Sequence, residues 1–217
     1  MPNRILVVPD VHAPFQRKSF ISDLRKLVKK FKPTTIVFMG DIIDSHAVSR
    51  HQPEADAPSA TEEFTAAKKI ISKIAKITKR IPVKICLGNH DSRLLKLAGT
   101  VKIPSMCLKS LKEIFEMPKK WSIKHEHIVS GILFVHGRSA IPGKTARSYG
   151  MSTVEGHFHS KLELTYHVSP RRTLWSAYAG SAADDNAIAM TYAKNSLNRS
   201  VYGYIVIVRG VPQIVKM

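Results

Sequence analysis

Three short apolar runs, Ile5–Val8, Ile36–Met39 and Val83–Leu87, alternate with two segments whose apolar residues recur at helical spacing. No other feature of the chain restricts its fold so much. Runs this short suit strands buried on both faces of a sheet, where either side of the pleat meets apolar neighbours. Between the first two, Phe20, Leu24, Leu27, Val28 and Phe31 form one stripe, with Arg25, Lys26, Lys29 and Lys30 off it. Between the second and third, Ser59 and Glu62 stand in a capping-box pattern. The helix it opens carries Phe64, Ala67, Ile71, Ile74 and Thr78 on one face and Lys68, Lys69, Lys73, Lys76 and Lys79 elsewhere. Strand, helix, strand, helix, strand requires crossover connections, which are right-handed, and predicts an α/β fold with a largely parallel sheet.

The second half changes character. Residues 99–121 contain Pro104, Pro118, five lysines and Trp121, and predict a helix around Leu108, Leu111, Ile114 and Phe115. Ser130-Gly131 separates two apolar runs and reads as a hairpin turn, whose second strand, Ile132–Val135, delivers His136. A short helix from about Lys144 to Tyr149 precedes Ser152–Glu155, which leads into Gly156. Strand-like runs follow at Leu162–Val168, Leu174–Ala179, Tyr202–Val208 and Val211–Val215, with Arg209-Gly210 turning between the last two. No linker is long enough to divide the chain, so a single domain over 1–217 is expected, with a basic cap insertion at 99–121. Trp121 belongs either to that cap or to the core.

Composition narrows the class. With 217 residues and 44% hydrophobic content the chain can bury a core, and 23% charged residues argue against disorder. No apolar run approaches the roughly 18 residues of a membrane span. The chain reaches Asp10 after one short apolar run, so no signal peptide and a cytoplasmic location are expected, the host cytoplasm if the chain is phage-encoded. Cys86 and Cys107 are too few for a disulfide framework, and Cys86 reads as a buried thiol. The net charge of +18 comes from a basic excess in every quarter of the chain, not from a tail. A polyanionic partner, nucleic acid above all, explains such an excess through attraction and counterion release.

The apolar runs of the first half and two in the second end in polar clusters: Asp10-Val11-His12, Gly40-Asp41-Ile42-Ile43-Asp44, Gly88-Asn89-His90-Asp91, His136-Gly137 and Gly156-His157-Phe158-His159. In open α/β sheets ligands bind at the carboxyl ends of strands. Carboxylate, amide oxygen and imidazole donors suit hard to borderline divalent metals. Asp residues gathered there without a cation would repel one another. Gly143-Lys144-Thr145 looks like the end of a phosphate-binding P-loop, but the earlier glycine that motif needs falls on Arg138. Lys144 and Arg147 remain candidate phosphate contacts. His125, His127 and His167 are isolated and are assigned no role.

The five clusters, in this order, closely resemble the calcineurin-like metallophosphoesterase superfamily, whose pattern is D-x-H, G-D-x-x-D, G-N-H-[DE], a lone His and G-H-x-H. The resemblance covers residues 5 to about 160 and, more loosely, the strand-rich C-terminus. It implies a four-layer αββα sandwich of mixed sheets, with helices outside and a dinuclear metal site at the strand ends. By resemblance, Asp10, His12 and His159 would bind one metal, Asn89, His136 and His157 the other, and Asp41 would bridge them. Two such ions, about 3.5–4 Å apart, can share a hydroxide that attacks phosphorus in line. His90 would donate a hydrogen bond or proton towards the leaving oxygen, Asp91 would orient His90, and Asp44 would support Asp41 or His12 by hydrogen bonding. Mn²⁺ suits the mixed donors, with Fe, Zn or Ni as alternatives.

The motifs define a reaction class more sharply than a substrate. Protein Ser/Thr phosphatases of the superfamily carry Arg where Ser45 stands and Glu where Asp91 stands, which weighs against a phosphoprotein substrate. The opening VPDVHAPF and the segment GDIIDSHAVSRH look more like small phosphoesterases of phage and bacteria. His46, Arg50, His51 and Arg93 are the candidate substrate contacts. The charge favours a phosphodiesterase or nuclease acting on nucleic acid. The alternative is a phosphatase or phosphodiesterase for small molecules or phosphoproteins, and the last is an inactive nucleic-acid-binding protein.

Overall fold

The computed structural model describes residues 3–49, 55–189 and 199–217. In chain order the elements are β1 (Arg4–Val8), α1 (Phe20–Phe31), β2 (Thr35–Phe38), α2 (Ala60–Ile77), β3 (Val83–Cys86), α3 (Arg93–Thr100), α4 (Leu111–Ile114), β4 (Ser122–Lys124), β5 (Glu126–Val129), β6 (Ile132–Val135), α5 (Lys144–Tyr149), β7 (Thr153–Glu155), β8 (Leu162–Ser169), β9 (Arg172–Ala179), β10 (Gly203–Val208) and β11 (Val211–Lys216). The alternation of the first ninety residues does give parallel neighbours: β1, β2, β3 and β4 pair side by side in that order. β10 then adds antiparallel to β1, and β11 antiparallel to β10, so this six-stranded sheet is mixed. The second sheet has the order β5-β6-β7-β9-β8 and is also mixed.

The apolar runs are continuous because both faces of the first sheet are covered. Leu6, Val8, Ile36, Phe38, Tyr204 and Val206 pack towards α1 and α2, which contribute Phe20, Leu24, Leu27, Ala67, Ile71 and Ile74. Their strand neighbours Ile5, Val7, Val37, Met39, Ile205 and Ile207 meet Ile132, Phe134, Val154, Trp175 and Ala177 of the second sheet. On β9 the second sheet carries α5, which completes the αββα sandwich. The capping box of α2 forms: Ser59 Oγ accepts from the Glu62 amide at 3.3 Å, and Glu62 Oε2 accepts from the Ser59 amide at 2.9 Å. No helix among the described residues is long and apolar enough to cross a membrane.

Residues 99–121 depart from expectation. The helix around Leu108–Phe115 shrinks to a 3₁₀ turn, Ser105–Cys107, and the single turn of α4. Trp121 is 1% exposed and stacks on Phe38 with ring centroids 6.3 Å apart, so it is core and offers no free ring to a ligand.

Candidate metal centre

Each polar cluster lies just beyond a strand: Asp10 and His12 after β1, Asp41 and Asp44 after β2, Asn89 to Asp91 after β3, His136 after β6, His157 and His159 after β7. The turns are tight. A Cβ at Gly156 would sit 2.5 Å from Asp10 Oδ1, and one at Gly88 would overlap the Asp41 carboxylate. His12, Asp41 and His157 hold positive φ angles of 55°, 43° and 68°, a conformation that costs L-residues energy and is retained where the surroundings impose it.

Two groups of donors result. His12 Nε2 and His159 Nε2 lie 3.1 Å apart, and His159 Nε2 is 3.5 Å from Asp10 Oδ2. Across the site, His136 Nε2 lies 2.9 Å from Asn89 Oδ1 and 3.2 Å from Asp41 Oδ2, and the ligand atoms of Asp41, His136 and His157 all fall within 4.8 Å of one another. Asp41 Oδ2 is also 3.9 Å from His12 Nε2, which places this carboxylate between the two groups. His12 Nδ1 hydrogen-bonds Asp44 Oδ2 at 2.8 Å and His136 Nδ1 donates to the Met39 carbonyl at 2.9 Å. Those bonds leave both Nε2 lone pairs facing inward. Asp10 Oδ1 is buried and has no hydrogen-bond partner among the described residues. Imidazole lone pairs aimed at one another beside an unpartnered buried carboxylate oxygen fit divalent cations.

The electrostatics agree. Burial pushes the Asp41 carboxyl up, but the hydrogen bond with His136 and the charges of His90, His136 and His12 outweigh it and hold Asp41 well below the usual range. His136 is opposed by burial yet raised to about 10 by Asp10 and Asp41. Burial lowers His12, with Asp44 pulling the other way. Burial and the charge of His136 lower His157 as well, so Asp10 and Asp41 favour positive charge at His136 while burial disfavours it at His12 and His157.

His90 sits beside this centre, and its support differs from expectation. Its Nδ1 lies 3.1 Å from the Asp44 carbonyl and 3.6 Å from Asp44 Oδ1. The Asp91 carboxylate instead accepts from the backbone amides of Gly88, at 2.9 Å, and Ile43, at 3.1 Å. Asp91 thus ties two metal-binding loops together, and Asp44 orients His90. Successive side chains in a tight turn diverge, so adjacency in sequence misdirected the assignment. Burial and the charge of Asp41 push the Asp91 carboxyl up. Arg93 contacts Asp44 Oδ1 at 3.2 Å, the Asp44 and Ser45 carbonyls, and His90 Nε2 at 3.1 Å. Since guanidinium only donates, Nε2 accepts here and Nδ1 carries the proton. Burial lowers the His90 pKa, but Asp44 and Asp41 more than compensate and the net is raised.

Arg93 therefore braces the loop after β2 instead of facing solvent. His46 is buried against Phe15, its ring centroid 6.2 Å away, and does not stand on a rim. Its amide and that of Ala47 donate to the buried Glu63 carboxylate of α2, at 2.9 and 2.7 Å, a support that an ordinary helical Glu does not announce in sequence. Arg50 and His51 lie outside the described residues. Arg147 contacts His167 Nδ1 at 3.4 Å, and neither it nor Lys144 lines the cavities below.

Two cavities flank the 88–92 turn. One, of about 640 Å³, is lined by the candidate ligands Asn89, His136 and His157 together with Lys96, His125 and Arg138. The other, of about 360 Å³, runs from Ser45, Asp91 and Ser92 into an apolar interior of Phe64, Leu94, Leu108, Leu111, Ile114 and Phe115. His125, assigned no role from sequence, thus borders the metal centre. It is the single residue between β4 in the first sheet and β5 in the second, a crossing that sequence periodicity does not reveal.

Residues 3–210 match the family of calcineurin-like phosphoesterases. The gene 54 protein of Mycobacterium phage D29 is 24% identical over 210 residues, covering 83% of this chain and 80% of the relative. Among solved structures, vacuolar protein sorting 29 from Cryptosporidium parvum aligns with a TM-score of 0.51 at 14% identity, over 100% of this chain and 97% of that one. Yfce, a phosphoesterase from E. coli, aligns with a TM-score of 0.51 at 13% identity, over 98% and 92%. At these identities the structural likeness establishes a shared fold.

Proposed function

Because this chain belongs to the calcineurin-like phosphoesterase family, and is accordingly a metal-dependent hydrolase of phosphoester bonds, we propose that it cleaves the phosphodiester backbone of nucleic acid. One observation carries the choice of substrate. The larger cavity opens directly from Asn89, His136 and His157, and no carboxylate lines it among the described residues, in a chain of net charge +18. A phosphodiester chain brings the negative charge that this surface lacks.

In this reading Asp10, His12 and His159 hold one cation, Asn89, His136 and His157 a second, and Asp41 both, with Mn²⁺ the ion that best suits the donors. Bound there, the cations supply Lewis-acid stabilisation of phosphoryl oxygens and a nucleophilic water of lowered pKa. The protein's own part is positional. Asp44 fixes the His12 ring, and Asp44 and Arg93 together fix His90 within 3.9 Å of Asp41 Oδ2. In this reading His90 delivers a proton or hydrogen bond to the departing oxygen from a protonated Nε2, released from its contact with Arg93. The apolar cavity beside Asp91 and Ser92 favours a second reading, hydrolysis of a small phosphoester with an apolar group. The likeness to a phage protein supports action in the cytoplasm, that of the host if the chain is phage-encoded.

The test compares Mn²⁺-dependent turnover of labelled single- and double-stranded DNA and RNA with that of p-nitrophenyl phosphate and bis-p-nitrophenyl phosphate, using Asp41→Asn as the blank. Polynucleotide cleavage that vanishes in the variant, along with bound metal, is the expected result. Turnover of the monoester alone overturns the nucleic-acid reading, and full activity in Asp41→Asn overturns the shared-ligand assignment.

A further inference from the structure

Lys96 of α3, His125 between β4 and β5, and Arg138 beyond His136 come from three separate segments, yet they line the same cavity as Asn89, His136 and His157. Two of the three sit on anchored backbone. The Arg138 and Ser139 amides both donate to Glu155 Oε2, at 2.7 and 3.2 Å, and Glu155 is 2% exposed. The Tyr178 hydroxyl donates to the Ser139 carbonyl at 2.5 Å, closing the loop against β9. His125 is held by its neighbours: Leu87 N donates to the Lys124 carbonyl at 2.7 Å, and His127 Nε2 donates to the Ile85 carbonyl at 3.0 Å. The side chains themselves remain accessible. Among the described residues the Arg138 side chain pairs with an exposed Glu126 carboxylate at 3.4 Å, a pairing weak enough to exchange for another anion.

We propose that Lys96, His125 and Arg138 form an accessory anion subsite that holds the phosphate next to the scissile one. The assignment rests on the nucleic-acid reading above and sharpens it. The polynucleotide leaves the metal centre on the side of Asn89, His136 and His157, and the enzyme takes oligonucleotides in preference to isolated esters. Fixed amides behind Arg138 make the subsite a preorganised one, whose occupation costs little ordering.

The experiment measures how well a short oligonucleotide inhibits hydrolysis of bis-p-nitrophenyl phosphate, in the wild-type enzyme and in a Lys96→Gln, His125→Gln, Arg138→Gln triple variant. Loss of the three side chains that hold this one phosphate raises the inhibition constant about tenfold or more and flattens its salt dependence by roughly one unit in the log–log slope. An unchanged inhibition constant overturns the subsite. So does an equal rise in the KM for bis-p-nitrophenyl phosphate, which marks a general distortion of the site. An oligonucleotide that inhibits the wild type through these residues without being cleaved sinks the nuclease reading alone. One that does not inhibit at all sinks both.

Discussion

The two cavities share Leu87 and Ser92 in their walls, so one turn, carrying Asn89, His90 and Asp91, divides them. On one side the lining is basic and polar and continues the candidate ligand set. On the other the interior is leucine, isoleucine and phenylalanine from α3, α4 and the start of α2, with Ser45, Asp91, Lys109 and Glu113 also in the wall. The contrast separates two physical tasks. A polar groove open to water gains nothing from being empty and gains much from a ligand that brings charge. An apolar pocket beside this turn is bounded by segments packed around Phe64 and Phe115, so substitutions in its wall are expected to act first on stability.

Substitutions that act on one side only can break this division. Phe115 is 2% exposed, with its ring 5.1 Å from that of Phe64. Phe115→Ala is expected to cost about 3–5 kcal/mol of stability, read as a fall in Tm or in the denaturant midpoint. The ratio of oligonucleotide to bis-p-nitrophenyl phosphate turnover should hold below the transition. A shift in that ratio would mean that the apolar wall also positions substrate. Asp44→Ala comes next. It removes the acceptor for His12 Nδ1 and leaves His90 and Arg93 without their shared carboxylate. A loss of about 10–100-fold in metal affinity or turnover is expected, equal for both substrates, because the change strikes the centre before the two sides diverge. Unequal losses would show that Asp44 serves one side.

The gathering of these side chains was legible from the chain because the candidate ligands follow strands. Apolar runs marked β1, β2, β3 and β6, and Asp, Asn or His directly after a buried run has no apolar partner to meet. What sequence concealed depends on long-range placement. The three-residue β4 is too short to show a period, and its pairing with β3 is what carries His125 to the groove. α3 has leucines at positions 94, 95 and 97, which blurs a helical stripe. His157 donates its amide to Asp10 Oδ2 across 147 residues, and Glu63 reaches the 46–48 turn from another helix. Local spacing also misled once: His90 and Asp91 are neighbours in the chain, but their side chains serve different loops.

The smallest expected effect decides between the two substrate readings most directly. Leu95 lines the mouth of the apolar cavity and is 53% exposed, so Leu95→Ser changes stability by no more than about 0.5 kcal/mol, the usual range for surface positions. If the cavity only supports the turn, KM values for phosphoesters with small and with bulky apolar groups will both stay at wild-type level. A rise confined to the bulky esters would place their apolar group in the cavity, because a lost contact of one side chain weakens binding only of ligands that reach it. That result would favour the small-ester reading, and the basic groove would then hold the enzyme's surface charge without its substrate. Kinetics with a paired series of esters on this one variant thus weigh the two sides of the turn against each other, with the metal centre left untouched.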